Sequence, residues 1–221
     1  VTIFVNKPQF ERKSDYKRYP RVLKRDISIL KKLKINYLYL PKTKQIYPNS
    51  PNKNIKISHF SKKLCGKSRP GHFESVVDVI DRFIKLIKPK KMYFGEKDFQ
   101  QLKIIEHFVK KNYRNIKVIG CKTIRKKNGI AYSSRNILLS SKEKIIASKI
   151  YKLLKKTKNS LITHKVNLNH VKRKIKSLGA SKIDYLKILD INKLIKPYIR
   201  KRKYRIFIAY YLRRTRLIDN I

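Results

Sequence analysis

The stretch that decides the fold is Met92-Tyr93-Phe94-Gly95-Glu96-Lys97-Asp98-Phe99-Gln100-Gln101, in which a short apolar run leads directly into a helical pattern. The run at 92–94 predicts a buried strand, and the apolar period of 99–111 predicts a helix. A strand that feeds a helix is the repeating unit of a parallel sheet, and ligands on such sheets bind at the carboxyl ends of the strands. We therefore expect a ligand site at the turn between this strand and this helix.

The segments on either side extend the same alternation. Before and after the turn the pattern predicts strands at 1–5, 37–40 and 116–119, an extended segment at 55–57, and helices at about 22–33 and 74–87. Beyond Cys121 it predicts helices at about 142–156 and 168–178 and strands near 183–189 and 205–212. We therefore predict an α/β fold, with a parallel sheet in residues 1–121 and a smaller α+β domain in residues 122–221.

The composition indicates a folded but very basic protein. The 221 residues include 59 Lys and Arg against 13 Asp and Glu, a formal net charge of +46. Hydrophobic residues nevertheless make up 41% of the chain, a larger share than is typical of a highly charged disordered chain. The charge is scattered: residues 1–120 hold 30 basic and 9 acidic side chains, and residues 121–221 hold 29 and 4. Two explanations stay open, a genome biased toward Lys, Ile, Asn and Tyr codons, or a function in binding polyanions.

Membrane and disulfide classes are not favoured. No run approaches about 18 apolar residues and no signal-peptide pattern opens the chain, so a cytoplasmic location is the default prediction. Cys65 and Cys121 are too few for a disulfide framework and lack metal-site spacing, and we expect both to be reduced, buried thiols.

Two stretches offer phosphate-binding chemistry. At Gly95 the backbone can be approached closely, the N–H groups at the helix start attract anions, and Lys97 adds a positive charge. The alternative for this stretch is an acidic first turn that complements the helix dipole. Ser133-Ser134-Arg135-Asn136 combines hydroxyls with a guanidinium group, although the same residues are also ordinary turn formers. A third unusual stretch, Arg69-Pro70-Gly71-His72-Phe73, contains a histidine that we interpret as a hydrogen-bonded structural residue.

Taken together and in this order, these stretches resemble the pantothenate synthetase (pantoate:β-alanine ligase) family over almost the whole chain. The matching blocks are 3–6, 9–10, 19–21, 47–48, 69–73, 94–102, 129, 133–136 and 216–220. The resemblance implies a Rossmann-like, nucleotidyltransferase-type domain at 1–121 and a lid domain at 122–221. It also implies an ATP- and Mg²⁺-dependent condensation of pantoate with β-alanine through a pantoyl adenylate, in pantothenate and coenzyme A biosynthesis, by a homodimer.

The resemblance assigns roles to individual residues. Lys97 would stabilise phosphate charge, and Asp98 would lie near the ribose. The residues that it places at ATP are Gly95, Glu96, Lys97, Asp98, Ile124, Tyr132, Ser133, Ser134 and Arg135. Those that it places at pantoate are Gln9, Gln101 and Asn6, with Gln9 also at β-alanine. It names no metal ligand.

The departures from the family leave other functions open. The H-x-G-H segment of the first strand-to-helix connection is absent, so we expect the first strand–helix unit and the family's catalytic histidine to be missing, as in an N-terminally truncated chain. One alternative is therefore a catalytically inactive relative. The other is a nucleic-acid-binding protein, for which Lys201-Arg202-Lys203-Tyr204-Arg205 is the best candidate stretch. Non-specific binding of polyanions is expected in either case.

Overall fold

The computed structural model describes residues 1–52, 54–163, 166–191 and 203–221. They form two compact units: unit 1 contains Val1–Lys91 and His107–Lys117, and unit 2 contains Met92–Glu106 and Val118–Ile221. This division does not coincide with the predicted domains 1–121 and 122–221, because the decisive strand–turn–helix stretch groups with the C-terminal residues. The domain boundary near residue 122 stays a prediction.

Unit 1 is mainly helical. Its helices are α1 (Lys13–Arg18), α2 (Leu23–Lys32), α3 (Thr43–Ile46), α4 (Leu64–Ser68) and α5 (His72–Ile87), with 3₁₀ turns at Lys7–Gln9 and His59–Lys62. The predicted helices at 22–33 and 74–87 are α2 and α5. The one-sided burial of α5, with Val76, Val77 and Ile84 inside, shows why its apolar period could be recognised in the sequence.

The two strands predicted in unit 1 are much shorter than expected. Thr2 and Tyr39 form a single parallel bridge, in which the Ile3 N–H donates to the Tyr39 carbonyl (3.1 Å) and the Tyr39 N–H donates to the Val1 carbonyl (2.9 Å). Pro8 and Pro41 follow these segments and cannot donate a backbone hydrogen bond, which limits further pairing. The bridged segments nevertheless pack on α5, where the Phe4 and Phe83 rings meet edge to face at 6.1 Å. The segment 55–57 has no regular structure.

Unit 2 is built on two small sheets. The parallel pair β1 (Lys91–Gly95) and β2 (Lys117–Cys121) lies in unit 2 apart from the first residue of each strand, and the helix α6 (Phe99–Asn112) starts in this unit. The second sheet is antiparallel, in the order β3 (Lys182–Asp190), β4 (Tyr204–Leu212), β5 (Thr215–Asn220). The helices α7 (Ser141–Thr163) and α8 (Leu168–Ser177) pack on this sheet. Ile150 of α7 and Ile175 of α8 share a buried core with Ile206 of β4.

Strand β5 was not predicted. It pairs with β4 from Phe207 opposite Asn220 to Leu212 opposite Thr215, and the connection between the strands is the dipeptide Arg213-Arg214. Arg213 has a φ of +47°, a conformation that hairpin turns usually give to Gly or Asn, so the sequence carries no turn signal at this point.

Two general features of the chain can be checked directly. Across the described ranges, no helix combines the length and the apolar composition needed to cross a membrane. Cys65 is buried as expected, whereas Cys121, the last residue of β2, is exposed, which corrects the expectation of a buried thiol.

Candidate active site

The decisive stretch forms the predicted strand, turn and helix, but the strand is not buried as expected: Tyr93 is 63% exposed, and Met92 and Phe94 are half-buried. A 3₁₀ turn, Glu96–Asp98, connects β1 to α6, and we call it the 96–98 turn. Gly95, just before it, has an ordinary φ of −70°, and no atom lies within 4 Å of the position that a Cβ would occupy. The space above Gly95 is therefore open to a ligand, as the sequence argument requires.

The 96–98 turn is held to the C-terminal sheet by polar contacts within unit 2. The Asn220 Nδ2 donates to the carbonyl oxygens of Glu96 (2.8 Å) and Lys97 (2.9 Å). Arg205 donates to the Glu96 carboxylate (2.6 Å) and to the Asn220 Oδ1 (2.7 Å), and its guanidinium lies 4.3 Å from the centre of the Phe99 ring. The Glu96 side chain is thus engaged by Arg205, and its role at ATP stays a prediction.

Lys97 and Asp98, the other two residues of this turn, pair with each other. The Lys97 ammonium lies 3.6 Å from the Asp98 carboxylate, and the two side chains are 20% and 45% exposed. A lysine that is paired only loosely and near open space can turn toward an incoming phosphate group. The phosphate-binding role of Lys97 stays a prediction.

A second element of the site is the hairpin formed by residues 124–132. Arg125 and Ala131 form an antiparallel bridge, and the Tyr132 N–H donates to the Ile124 carbonyl (3.0 Å). This pairing brings Ile124 and Tyr132 to the open end of the hairpin, where their side chains are 69% and 57% exposed. Two large apolar side chains left exposed side by side suit contact with the flat face of a ligand.

The 124–132 hairpin is anchored to β5 by an ion pair. Both Arg125 Nη atoms donate to the Asp219 carboxylate, at 2.7 and 2.8 Å, and the guanidinium also lies 4.6 Å from the centre of the Tyr151 ring. Burial disfavours the charged guanidinium, but the hydrogen bonds and the charge of Asp219 outweigh it, and the pKa of Arg125 is raised overall. The Arg125 guanidinium therefore stays protonated.

The Ser133–Asn136 stretch forms the turn that its residue types suggested. The Ser133 Oγ accepts from the Arg135 N–H (3.3 Å), and the buried Asn136 side chain donates to the Ala131 carbonyl (2.9 Å). Strand β5 contacts both this turn and the 96–98 turn. All nine residues predicted at ATP belong to unit 2. Within this unit β5 contacts both turns that carry most of them.

The residues predicted at pantoate are divided between the units. Gln101 is in the first turn of α6 and belongs to unit 2, whereas Gln9 and Asn6 belong to unit 1. Convergence of Gln9 and Gln101 on one ligand stays a prediction. Asn6 is only 2% exposed, its Oδ1 accepts from the Tyr47 hydroxyl (2.8 Å), and its Nδ2 donates to the Ser75 carbonyl (3.0 Å).

Burial is the main influence on Tyr47, the partner of Asn6. It raises the pKa of the phenol to about 12, with a further contribution from the charge of Asp78. Tyr47 therefore remains a hydrogen-bond donor to Asn6 at all physiological pH values, and Asn6 is held by it in a fixed orientation.

Gln9 is positioned by two residues that the sequence analysis did not connect with it. Its backbone carbonyl accepts from Arg69 Nη2 and from His72 Nδ1, both at 2.9 Å, and Arg69 Nη1 lies 3.0 Å from His72 Nε2. A His72 tautomer protonated at Nδ1 satisfies all three contacts. The structural interpretation of His72 is thereby supported, since its ring nitrogens hold the backbone of Gln9. The proximity in sequence of Arg69 and His72 was the available signal, but it did not identify Gln9 as their target.

Comparisons with known proteins identify the fold and the family. The strand, turn and helix around Lys97 belong to an α/β protein of the nucleotidyltransferase type, as shown by solved structures that cover 100% of this chain. A pantoate-beta-alanine ligase from Francisella tularensis, complexed with beta-gamma ATP and beta-alanine, matches with a TM-score of 0.84 and 38% identity over 77% of its own chain. A pantothenate synthetase from Thermus thermophilus matches with a TM-score of 0.89 and 31% identity over 81% of its chain.

The sequence relatives agree. A pantothenate synthetase from Clostridium botulinum (strain Kyoto / Type A2) is 38% identical to this chain, and the match covers all of this chain and 80% of the relative. A pantothenate synthetase from Sulfurihydrogenibium sp. (strain YO3AOP1) is 37% identical, and the match covers all of this chain and 81% of the relative. The family model described as Pantoate-beta-alanine ligase matches residues 1–221. The chain belongs to the pantoate-beta-alanine ligase family.

Proposed function

We propose that this chain condenses pantoate with β-alanine in a reaction driven by ATP. A pantoate carboxylate oxygen attacks the α-phosphorus of ATP and pyrophosphate leaves; the β-alanine amine then attacks the acyl carbon, loses a proton, and AMP leaves. The observation that carries the proposal is the 96–98 turn, which places Lys97, 3.6 Å from the Asp98 carboxylate, two residues after the open Cβ position of Gly95 in a member of this family. Adenylation is needed because a carboxylate by itself is a poor acyl donor, and AMP is a good leaving group.

The ATP-binding residues contact different parts of the nucleotide. Lys97 and Arg135 carry the positive charges that neutralise the phosphates, with the Ser133 and Ser134 hydroxyls beside them. Ile124 and Tyr132 supply the exposed apolar surface for the base, and Asp98 accepts from the ribose hydroxyls. The beta-gamma ATP ligand of the Francisella tularensis relative supports nucleotide binding at this fold.

Pantoate is held by the two glutamine side chains. An amide can donate to the substrate carboxylate and accept from its hydroxyls, which suits Gln9 and Gln101, and Gln9 also contacts β-alanine. Asn6 acts through Gln9, because its own amide is already engaged by Tyr47 and Ser75, with the Gln9 Oε1 3.4 Å from its Nδ2. Asn6 is therefore assigned to positioning and not to direct contact with pantoate.

Mg²⁺ fits this site as a companion of the ATP phosphates. In the ranges that the structure describes, no three His, Cys, Asp or Glu side chains come together as a metal site. Mg²⁺ commonly keeps several waters and binds largely through substrate phosphates, so it would be held mainly by ATP and water, and no protein ligand is assigned. The bound ion supplies charge neutralisation at the phosphates, alongside Lys97.

The alternative function in nucleic-acid binding is less well supported. Of its best stretch, residues 201 and 202 lie outside the described residues. Arg205 is used inside unit 2, where it contacts Glu96, Asn220 and Phe99. The guanidinium of Arg205 is therefore already engaged by protein partners.

Pyrophosphate release tests the proposal. Lys97→Ala should lower the rate of pantoate-dependent pyrophosphate release at least about 10²-fold, since a positioned charge at the developing anion is lost. Lys155→Ala, which removes an exposed lysine of α7, serves as the control and should leave the rate unchanged. A Lys97→Ala rate equal to that of the control would remove Lys97 from the mechanism. No release by the unaltered chain would favour the catalytically inactive relative.

A further inference from the structure

We propose that Asn220 is a positioning residue for adenylation: its side-chain amide fixes the backbone on both sides of the Lys97 Cα and so aims the Lys97 ammonium at the phosphates. The inference rests on the proposed function and extends it to a residue at the far end of the chain.

The geometry is specific to the turn. One amide nitrogen donates to two successive carbonyl oxygens, of Glu96 at 2.8 Å and of Lys97 at 2.9 Å. These carbonyls belong to the peptide groups before and after the Lys97 Cα, so the two bonds fix the direction in which its side chain leaves the backbone. The amide has two N–H donors, and this arrangement uses both.

The orientation of the amide is itself determined. The Asn220 side chain is 5% exposed, so water does not compete for its bonds, and its Oδ1 accepts from Arg205 at 2.7 Å. Arg205 is held in turn by the Glu96 carboxylate and by the ring of Phe99. A rotation of the amide would place its Nδ2 against the guanidinium and its oxygen against two carbonyls.

The same residue also connects to the second half of the nucleotide site. The Asn220 carbonyl accepts from Arg125 Nη2 at 3.1 Å, and Arg125 belongs to the 124–132 hairpin. Asn220 is thus bonded through its side chain to the turn that carries Lys97, and through its backbone to the hairpin that carries Ile124 and Tyr132.

Holding β5 in the sheet does not require this side chain. The end of the strand is secured by backbone bonds, with the Ile206 N–H donating to the Ile221 carbonyl (3.0 Å) and the Ile221 N–H to the Ile206 carbonyl (3.1 Å). The contacts of the Asn220 amide are made instead with the 96–98 turn and Arg205. A role in positioning Lys97 explains where the amide is directed, whereas strand pairing does not.

Asn220→Asp provides the test, because aspartate keeps the size of the side chain and an acceptor for Arg205 but loses both N–H donors. We expect pantoate-dependent pyrophosphate release to fall about 10²-fold in kcat, the cost of a misplaced catalytic group, with the KM for pantoate unchanged. The control is Thr157→Val, which removes another buried side-chain bond of unit 2, from Thr157 to the Leu153 carbonyl (2.9 Å). It should lower the melting temperature without a comparable change in kcat.

A double variant separates positioning from general destabilisation. If Asn220 acts through Lys97, Asn220→Asp should change kcat less than about threefold once Lys97 is already alanine. The proposal is overturned if Asn220→Asp has the same effect in both backgrounds, or if it leaves kcat of the otherwise unaltered chain intact.

A binding measurement distinguishes failure of this proposal from failure of the proposed function. By calorimetry, Asn220→Asp should weaken binding of a non-hydrolysable ATP analogue about tenfold, and Thr157→Val should not. If the unaltered chain releases no pyrophosphate, the proposed function fails, and this comparison still decides the role of Asn220. Equal affinities for the analogue in all variants, or no binding by any of them, would overturn the positioning role.

Discussion

The backbone conformation at Gly95 does not require glycine. Its φ of −70° suits any residue, and no atom lies within 4 Å of a Cβ position. Gly95→Ala should therefore keep or slightly raise the melting temperature, through the reduced freedom of the unfolded chain, while a methyl group in the open space raises the KM for ATP about tenfold. Thermal unfolding and steady-state kinetics on the same sample measure both effects.

Gly120→Ala is the matched control for Gly95→Ala. Its Cβ would lie 2.9 Å from Leu102 Cδ2 and 3.5 Å from Glu96 Cγ, so its cost should appear as lost stability. An unchanged KM for ATP in Gly95→Ala would show that the nucleotide does not approach this backbone.

The residues of the site differ in how far the sequence could predict them. Lys97 was found because strand, turn and helix are contiguous there. Asn220 lies in a matching block, but its contact with Glu96 spans 124 positions of sequence, and no local pattern predicts such a contact. Asn6 was predicted at pantoate, but only the structure shows that its amide is engaged by Tyr47 and Ser75.

At the scale of the element, the 124–132 hairpin depends on one glycine. Gly129 has a φ of +90°, and a Cβ there would overlap the Tyr151 ring at Cδ1. Gly129→Ala should cost about 2 kcal/mol or more of stability, from backbone strain and displacement of the ring on which Arg125 lies. Chemical denaturation followed by circular dichroism gives this value.

Gly71 offers a matched comparison for Gly129. It caps α5 with a φ of +75° but has nothing within 4 Å of a Cβ, so Gly71→Ala isolates the strain and should cost about 1 kcal/mol. A loss for Gly129→Ala no larger than that for Gly71→Ala would mean that Tyr151 moves aside freely.

Among the elements, helices were predicted better than strands. Helices α2 and α5 both carry an apolar period that is visible in the sequence, although only α5 buries residues of that face. The segments at 1–5 and 37–40 depend on distant partners, and they form one bridge where longer strands were expected. Strand β5 was not predicted because its turn, Arg213-Arg214, contains neither Gly nor Asn.

For the whole molecule, the net charge of +46 has a measurable consequence. If it reflects codon usage, the chain should bind DNA or RNA without regard to sequence, and the affinity should fall by about 10³-fold or more between about 50 and 200 mM salt as counterions are released. Fluorescence anisotropy with two duplexes of unrelated sequence measures this. A preference for one sequence that persists at the higher salt concentration would support the nucleic-acid-binding function instead.

The homodimer and the cytoplasmic location also belong to this scale and stay predictions. Light scattering of the purified chain measures the first, and fractionation of the source cells the second.

The exposed Cys121 makes the site accessible to spectroscopy without any substitution. It ends β2 directly after Gly120, whose Cα faces the Glu96 side chain, whereas the thiol of Cys65 is buried. A maleimide dye should therefore attach at a single place next to the 96–98 turn. Because the chain has no tryptophan, the label would be read against a background of tyrosine emission alone, and nucleotide titrations could be followed by a change in its colour or intensity.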